Sequence, residues 1–475
     1  MVLRAYARDL IPYIADAVPG WFQAVMTLYD ARGREVAYSD VYRFKPDPVI
    51  RYEAPEDGEY VVTISDALFR GREDFVYRIS IAESPFVTSI FPLGGRVGDS
   101  PAVDISGWNL DDAKVLLPPA DAGPGIHFVT AATKGRVSNR VPFALDTLPE
   151  VFEEEANNDR GRAQQTVLPV IVNGRVDEPG DWDVFQFEGR AGETIVAEVV
   201  ARRLDSPLDS ILKLTDADGN LLAVNDDHDD PGTGLNTHHA DSYLSAELPS
   251  NGTYYVYVSD TTHKGGEEYG YRLRISPPQP DFELRVVPSS VAMRSKRWGG
   301  VSVYVIRRDG FDGSIQVRLK NPPEGFSSST VTIKDGEEMV RLGMKTDLRE
   351  TEGAVALNVE GRAKIAGSEV AHLAVPADDC MQAFLWRHLV PADSLQARVF
   401  NPADKPEPQR VAPPAPPELI AAAKKAVEEA GTVQFSQRQV LGRLRQLDYL
   451  YENWMLTDDF YHEKVAECKV AEEEK

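Results

Sequence analysis

The segment EEEANND, residues 153–159, sets oxygen donors at alternate positions: Glu153, Glu155 and Asn157 share one side of an extended chain, because successive side chains in a strand point to opposite faces. Asn158 and Asp159 carry the run past the bend that follows. Asp181 and Asp183 in GDWDVF again share a face, at the start of the next acidic strand. Carboxylates and side-chain amides, with no Cys or His in either segment, make a hard donor set. Such a set suits Ca²⁺, which takes about six to eight oxygen ligands at roughly 2.3–2.6 Å, better than Mg²⁺, which keeps several of its waters. The competing reading is a solvated acidic linker. A bound cation would be scaffold rather than catalyst, since binding only the folded form stabilises that form by mass action.

A second acidic stretch, NDDHDDPGTGLNTHHAD (225–241), adds His228, His238 and His239. Three imidazoles in one loop could hold a transition metal, but an exposed, solvated loop is the simpler expectation. No His-Glu-x-x-His, Gly-x-Ser-x-Gly, phosphate loop or dinucleotide fingerprint occurs. His127, His263, His372, His388 and His462 stand alone and are expected at the surface or in packing. Trp108, Trp182 and Trp298 in strand contexts, and Trp386 and Trp454, are expected in cores rather than as sugar-stacking platforms. The chain therefore reads as non-catalytic.

The elements that must hold these residues are mostly β. A chain of 475 residues exceeds one core, and at roughly 100–200 residues per domain it should divide into three to five units. Its net charge of −24 argues against nucleic acid, whose phosphates require Lys and Arg. Residues 149–277 hold 25 Asp and Glu against 10 Lys and Arg, so more than half of the charge lies in about a quarter of the chain. Cys380 and Cys468 are too few and too far apart in sequence for a disulfide framework. The N-terminal segment carries Arg4, Arg8 and Asp9 where a signal peptide needs its apolar stretch, and no apolar run is long enough to span a membrane.

An internal repeat organises the chain. LYDARGREVAYSD (28–40) matches LTDADGNLLAVND (214–226), and residues 54–81 match 248–275. Tyr60, Val62 and Ile64 alternate onto one face, as do Tyr254, Val256 and Val258, after Asp-Gly and Asn-Gly turns; these are half-buried antiparallel strands. Asp66/Asp260, Gly71/Gly265 and Tyr77-Arg78/Tyr271-Arg272 recur at constant offset, which points to duplication. The first copy opens in mid-strand and has no counterpart of Glu153 through Thr194. The expectation is that the reading frame begins late, or is a fragment, and that both the opening strands and an export signal lie upstream of Met1.

EEEANND, VNGRVDEPGDWDVFQFEGRAGETI, SPLDSILKLTDADGNLLAVNDD and LPSNGTYYVYVSD together make the second copy resemble the bacterial pre-peptidase C-terminal domain, a β-sandwich found beside secreted proteases and collagenases. The resemblance implies calcium at the segment preceding the sandwich and at acids near the following strand. Carried over residue by residue, that is Glu153, Glu155, Asn157, Asn158 or Asp159, with Asp181 and Asp183. Ala156 stands where the family usually has proline, which would leave this linker less stiff. SIFPLGGRVGDSPAVDISGWNL (89–110) resembles the opening of an immunoglobulin-like IPT/TIG module.

The expected fold is a tandem of antiparallel β-sandwich modules, jelly-roll or Ig-like, followed by a small α-helical C-terminal tail. Residues 1–84 form a truncated pre-peptidase-type sandwich, 85–148 an IPT/TIG-like module, 149–277 the second pre-peptidase-type sandwich and 278–400 an Ig-like sandwich. Residues 401–417 are a Pro-rich spacer and 418–475 the tail. In the tail Pro417 can open a helix that Gly431 closes, and Thr457 can cap another. Val440, Leu444, Leu447, Tyr451 and Trp454 form a seam that serves either self-association or a helical hairpin folding on itself.

Three functional readings follow: an extracytoplasmic array (secreted, periplasmic or cell-surface) that binds an extracellular polymer or protein, with a calcium-stabilised sandwich; the accessory region of a secreted peptidase; and a carbohydrate-binding array.

Overall fold

The computed structural model describes residues 1–8, 21–73, 75–133, 135–228, 240–382, 386–403, 410–430, 437–452 and 456–473. The chain forms two compact units, residues 1–70 with 77–399, and 71–76 with 400–475. The first is built of antiparallel-rich β-sheets and the second of helices. No helix among the described residues is long and apolar enough to cross a membrane.

The acidic region folds as two five-stranded sheets. One runs in the order Glu150–Phe152, Val170–Arg175, Gly270–Ser276, Thr194–Val200, Tyr243–Glu247, the other Gln164–Gln165, Asp183–Gly189, Gly252–Asp260, Ser210–Asp216, Leu221–Asn225. Period-two patterning puts Val170, Val172, Phe185, Phe187, Val256, Val258, Leu273 and Ile275 between the sheets, where they form one closed core. Tyr254 is buried with its hydroxyl donating to the Ser250 carbonyl at 2.7 Å, which ties the turn before its strand to the core.

The N-terminal module repeats part of this plan. Its sheets run Val49–Arg51, Val2–Tyr6, Arg78–Ala82 and Glu35–Ser39, Ala24–Tyr29, Val61–Asp66, the same strand order at the same sequence offsets. The ladder irregularity between Leu28 and Tyr29 recurs between Leu214 and Thr215. Asp66 accepts from the backbone of Gln23, Leu68 and Arg70, as Asp260 does from Asp209, Thr262 and Lys264. Asp47 accepts from Ala7 and Arg8, as Asp241 does from Ala201 and Arg202. Counterparts of Val170–Arg175 and Asp183–Gly189 do not occur among the described residues of the first module, and its inner face is correspondingly open. Ile81 is 56 % exposed where Ile275 is 0 %, and Val62 and Ile64 are only half-buried.

Between the two copies, Phe86–Phe91 pairs with Asp104–Trp108, and a second sheet is built on Gly125–Thr133 and Val141–Asp146. Residues 281–400 form a larger sandwich whose core includes Phe282, Leu284, Val303, Val317, Leu342 and Val359. Trp298 departs from its expected place in a core. It opens the strand Trp298–Arg308 and is 64 % exposed, because its ring lies over Gly343 on the outer surface of the sheet. Trp108 stacks on Phe86 at 5.0 Å, and Trp182 lies under the Lys213 ammonium at 3.8 Å. The Trp386 side chain and Trp454 lie outside the described residues.

In the helical unit, α1 (Pro417–Ala430), α2 (Gln437–Glu452) and α3 (Asp458–Glu473) pack on one another through Val440, Leu447, Tyr451, Tyr461, Val465 and Cys468. Pro417 is the first residue of α1, and the Thr457 hydroxyl accepts from Phe460 N at 3.4 Å at the start of α3. Gly431 lies outside the described residues.

Candidate metal centre

The segment 153–163 crosses from one sheet of the second sandwich to the other. Glu150–Phe152 runs parallel beside Val170–Arg175, and Glu153 N still donates to Asn173 O at 3.0 Å. Four residues later Val184 N donates to Asn157 O at 3.1 Å, and Gln164–Gln165 then pairs with Asp183–Gly189 in the opposite sheet. The crossing covers one end of the sandwich, where the first residue of Asp183–Gly189 meets Tyr271 of Gly270–Ser276.

Three carboxylates converge there. Glu153, Glu155 and Asp183 each place an oxygen within 4.8 Å of the others. Glu153 is held most closely: its Oε1 accepts from Asn157 Nδ2 and from the Tyr271 hydroxyl, both at 2.9 Å, and its Oε2 from Arg175 N at 2.8 Å. Glu155 is exposed and accepts from Asn157 N at 3.2 Å. Asp183 is 0 % exposed; the Tyr271 hydroxyl lies beside its carboxylate but donates to Glu153, and neither Asp183 oxygen accepts a well-formed hydrogen bond among the described residues. The Asn157 side chain is equally buried, and its Oδ1 has no donor either.

No Lys, Arg or His is ion-paired with Glu153, Glu155 or Asp183 among the described residues, whereas the neighbouring Glu150 pairs with Arg272 at 2.7 Å. Burial without a counter-charge makes ionisation costly. Burial pushes Glu153 up to about 7, against the pull of its hydrogen bonds from Arg175 N, Asn157 and Tyr271 and with a further push from Glu155. Asp183 is raised well above the usual carboxylate range, first by burial and then by the charge of Glu153. Glu155 is raised as well, chiefly by burial. Such a cluster can hold either protons or a cation. Oxygens no more than 4.8 Å apart can share one ion at bonds of about 2.4 Å, and the donor set is all oxygen, so these residues fit a hard divalent ion.

The remaining donors singled out in the sequence stand elsewhere. The Asn158 amide donates to Asp181 Oδ1, which also accepts from Trp182 N at 2.9 Å; Asp181 is buried beside the cluster. Asp159 is exposed and bound by Arg162 at 2.8 Å, which holds its carboxyl below the usual range. Tyr271 and Gly174 escaped the sequence reading. A Cβ at Gly174 would lie 2.6 Å from Glu153 Oε2, so glycine there leaves room for the carboxylate and for the Tyr271 hydroxyl. The recurring Tyr-Arg pair of the repeat was the available signal, since Tyr77, the counterpart of Tyr271, has no acidic crossing beside it among the described residues and is 48 % exposed. In the second acidic loop, His228 stacks on Tyr243 at 4.7 Å, and residues 229–239, with His238 and His239, lie outside the described residues.

A comparison with curated proteins found no match to the chain. The family comparison did find one, over a span that contains Asp181 and Asp183 but stops short of Glu153, Glu155 and Asn157. Residues 181–260 match the family model of the bacterial pre-peptidase C-terminal domain, and the sandwich that carries the acidic cluster is similar to that family.

Proposed function

We propose that this protein is a non-catalytic, extracytoplasmic binding array whose second pre-peptidase-type sandwich is locked by a structural Ca²⁺. One observation carries the reading: a fully buried Asp183 carboxylate that faces two further carboxylates and, among the described residues, is ion-paired with no Lys, Arg or His. Glu153, Glu155 and Asp183 supply the charge, and the Asn157 Oδ1 supplies a neutral oxygen. The ion offsets the charge that burial penalises and pins the crossing segment to both sheets, which makes the sandwich and its approach one rigid piece. The extracellular millimolar range of calcium matches weak-to-moderate oxygen sites of this kind. The ligand of the array is an extracellular polymer or protein.

Calcium titration calorimetry on the full chain tests the reading. The native protein should give a saturable heat, and at about 100 times Kd the ion should add roughly 2.7 kcal/mol of stability. The double variant Glu155→Ala, Asp183→Ala should lose both. A native protein with no saturable calcium heat ends the proposal.

A second reading, the accessory region of a peptidase, is favoured by the family match itself. Pull-down on insoluble collagen, cellulose and peptidoglycan, with and without chelator, separates the two. Retention on one polymer supports an array that binds by itself. Retention on none, together with specific capture of a peptidase, favours the accessory role.

A further inference from the structure

The third sandwich carries an aromatic surface that the calcium reading leaves without a role. Its strand Trp298–Arg308 runs antiparallel to Met339–Thr346, with Trp298 opposite Lys345, Gly300 opposite Gly343 and Ser302 opposite Arg341. Leu342 and Met344 belong to the core, so Arg341, Gly343, Lys345 and their partners line the outer face. Two glycines opposite each other weaken a ladder, and glycine inside a strand often marks a place where another group approaches closely. Here two side chains use the space. The Trp298 ring lies over Gly343, with Cε3 and Cζ3 at 3.7 Å from the point where a Cβ would stand. The Arg341 guanidinium lies over Gly300, its Nε at 3.3 Å from the corresponding point and its Nη2 donating to Gly300 O at 3.3 Å.

Indole and guanidinium thus rest on two adjoining strands, with the upper face of the indole open to solvent. Ser327 and Lys345 stand in the same row across the sheet as Trp298, and Lys345 pairs with the exposed Asp347 at 3.1 Å. The surface is an aromatic plane bordered by N–H donors, a hydroxyl and a carboxylate. Because the face of an aromatic ring is negative, its complement is a flat array of C–H groups with hydrogen-bonding groups around the rim. A pyranose ring has that form. A cationic ligand would meet Arg341 and Lys345 beside the ring, and a nucleic acid would meet a chain of net charge −24. A protein partner anchors on Trp within a well-packed, desolvated pocket, whereas this floor is two glycines and this rim is charged.

We propose that the outer face of the third sandwich binds an extended polysaccharide, one pyranose ring stacking on Trp298 while its hydroxyls bond to Arg341 and Lys345. This assignment rests on the reading of the chain as a binding array and names the class of its polymer.

Depletion isotherms of the full chain on insoluble cellulose, chitin and peptidoglycan test it, with collagen as the protein arm, each in calcium and in chelator. The native chain should be retained on at least one of the three polysaccharides. Retention should be equal in calcium and chelator, because the acidic cluster lies in a different sandwich, and should persist at about 0.5 M salt, because contacts with a ring face are not screened. Trp298→Ala should weaken it at least about tenfold, and Arg341→Ala about fivefold, with Trp298→Phe falling between the native chain and the alanine variant. The proposal is overturned if the native chain is retained on none of the three or on collagen alone, or if folded Trp298→Ala binds as tightly as the native chain. Were that variant unfolded, Arg341→Ala with native affinity would overturn it equally. Retention on collagen alone would leave the array reading standing without this site, and a missing calcium heat would leave this site standing without the lock.

Discussion

At the residue scale, the acidic crossing trades charge against burial. Glu153 titrates in the folded protein near 7 rather than at its ordinary 4.5, so between those values the folded chain holds a proton that the unfolded chain has released. Stability therefore falls as pH rises through that interval, and the loss is complete above about 7. For Glu153 alone the loss is on the order of 3 kcal/mol, and Asp183, raised in the same direction, adds to it. In chelator the melting temperature of the native protein should drop between pH 5 and 8. Saturating calcium should cancel the drop, because a bound cation keeps the carboxylates ionised at no such cost. Asp183→Asn separates the two effects: without calcium it should melt higher than the native protein at pH 8, having lost a buried charge without a counter-charge, and it should no longer respond to calcium. Thermal scans across pH, with and without the ion, check both outcomes. The individual carboxylates of the cluster were legible in the sequence, because Glu153, Glu155 and Asp183 sit in runs whose types and spacing are local. Their grouping was not, since Asp159 looks like an equivalent donor until Arg162 is seen to bind it.

At the scale of elements, close approach decides the site. The strand Val170–Arg175 passes Glu153 at Gly174, and the added methyl of Gly174→Ala would meet both Glu153 and the Tyr271 side chain. Overpacking of this kind costs about 1–3 kcal/mol. Here it should also blunt the calcium response, which calorimetry and melting together would report; an unchanged calcium heat would mean that the Glu153 side chain is not a ligand. In the helical unit the capping chemistry is plain from the sequence, because a cap involves only neighbouring residues. Thr457→Ala should cost about 1 kcal/mol and lower the helical signal at 222 nm on mild heating. The exposure of Trp298 is the opposite case. Alternation in its strand does not say which face is covered, and a two-residue period serves the outside of a sheet as well as the inside.

At the scale of the whole molecule, Asp309 joins the second sandwich to the third. Its carboxylate is buried among the Arg274 guanidinium, the Tyr243 hydroxyl and Gln279 N, the last at 2.7 Å, and Arg274 leans in turn on Glu198. The pairing holds the Glu198 carboxyl down at about 2, chiefly through Arg203 and Arg274 and against the effect of burial. Removing one member of a buried, hydrogen-bonded pair costs about 3–5 kcal/mol, because the other charge is left without compensation. Asp309→Ala should therefore lower stability by that order and split the unfolding of the two sandwiches into separable transitions in differential scanning calorimetry. A single, merely shifted transition would show that the sandwiches are coupled by other contacts.

The sequence alone determined what depends on near neighbours: the β class, from side chains alternating every two residues; the repeat, from turn chemistry recurring at fixed offsets; the helix starts at Pro417 and Thr457; and two short acidic runs rich in hard donors. The tertiary structure decided what depends on residues far apart in the chain. It brought Asp183 to Glu153 and Glu155 from the opposite sheet, and it set the Tyr271 hydroxyl on Glu153 across 118 residues. It set the Asp309 carboxylate of one sandwich on Arg274 and Tyr243 of another. The physical reason is common to all three: the free energy of a charge is set by its burial and by its nearest counter-charge, and neither is a property of sequence spacing.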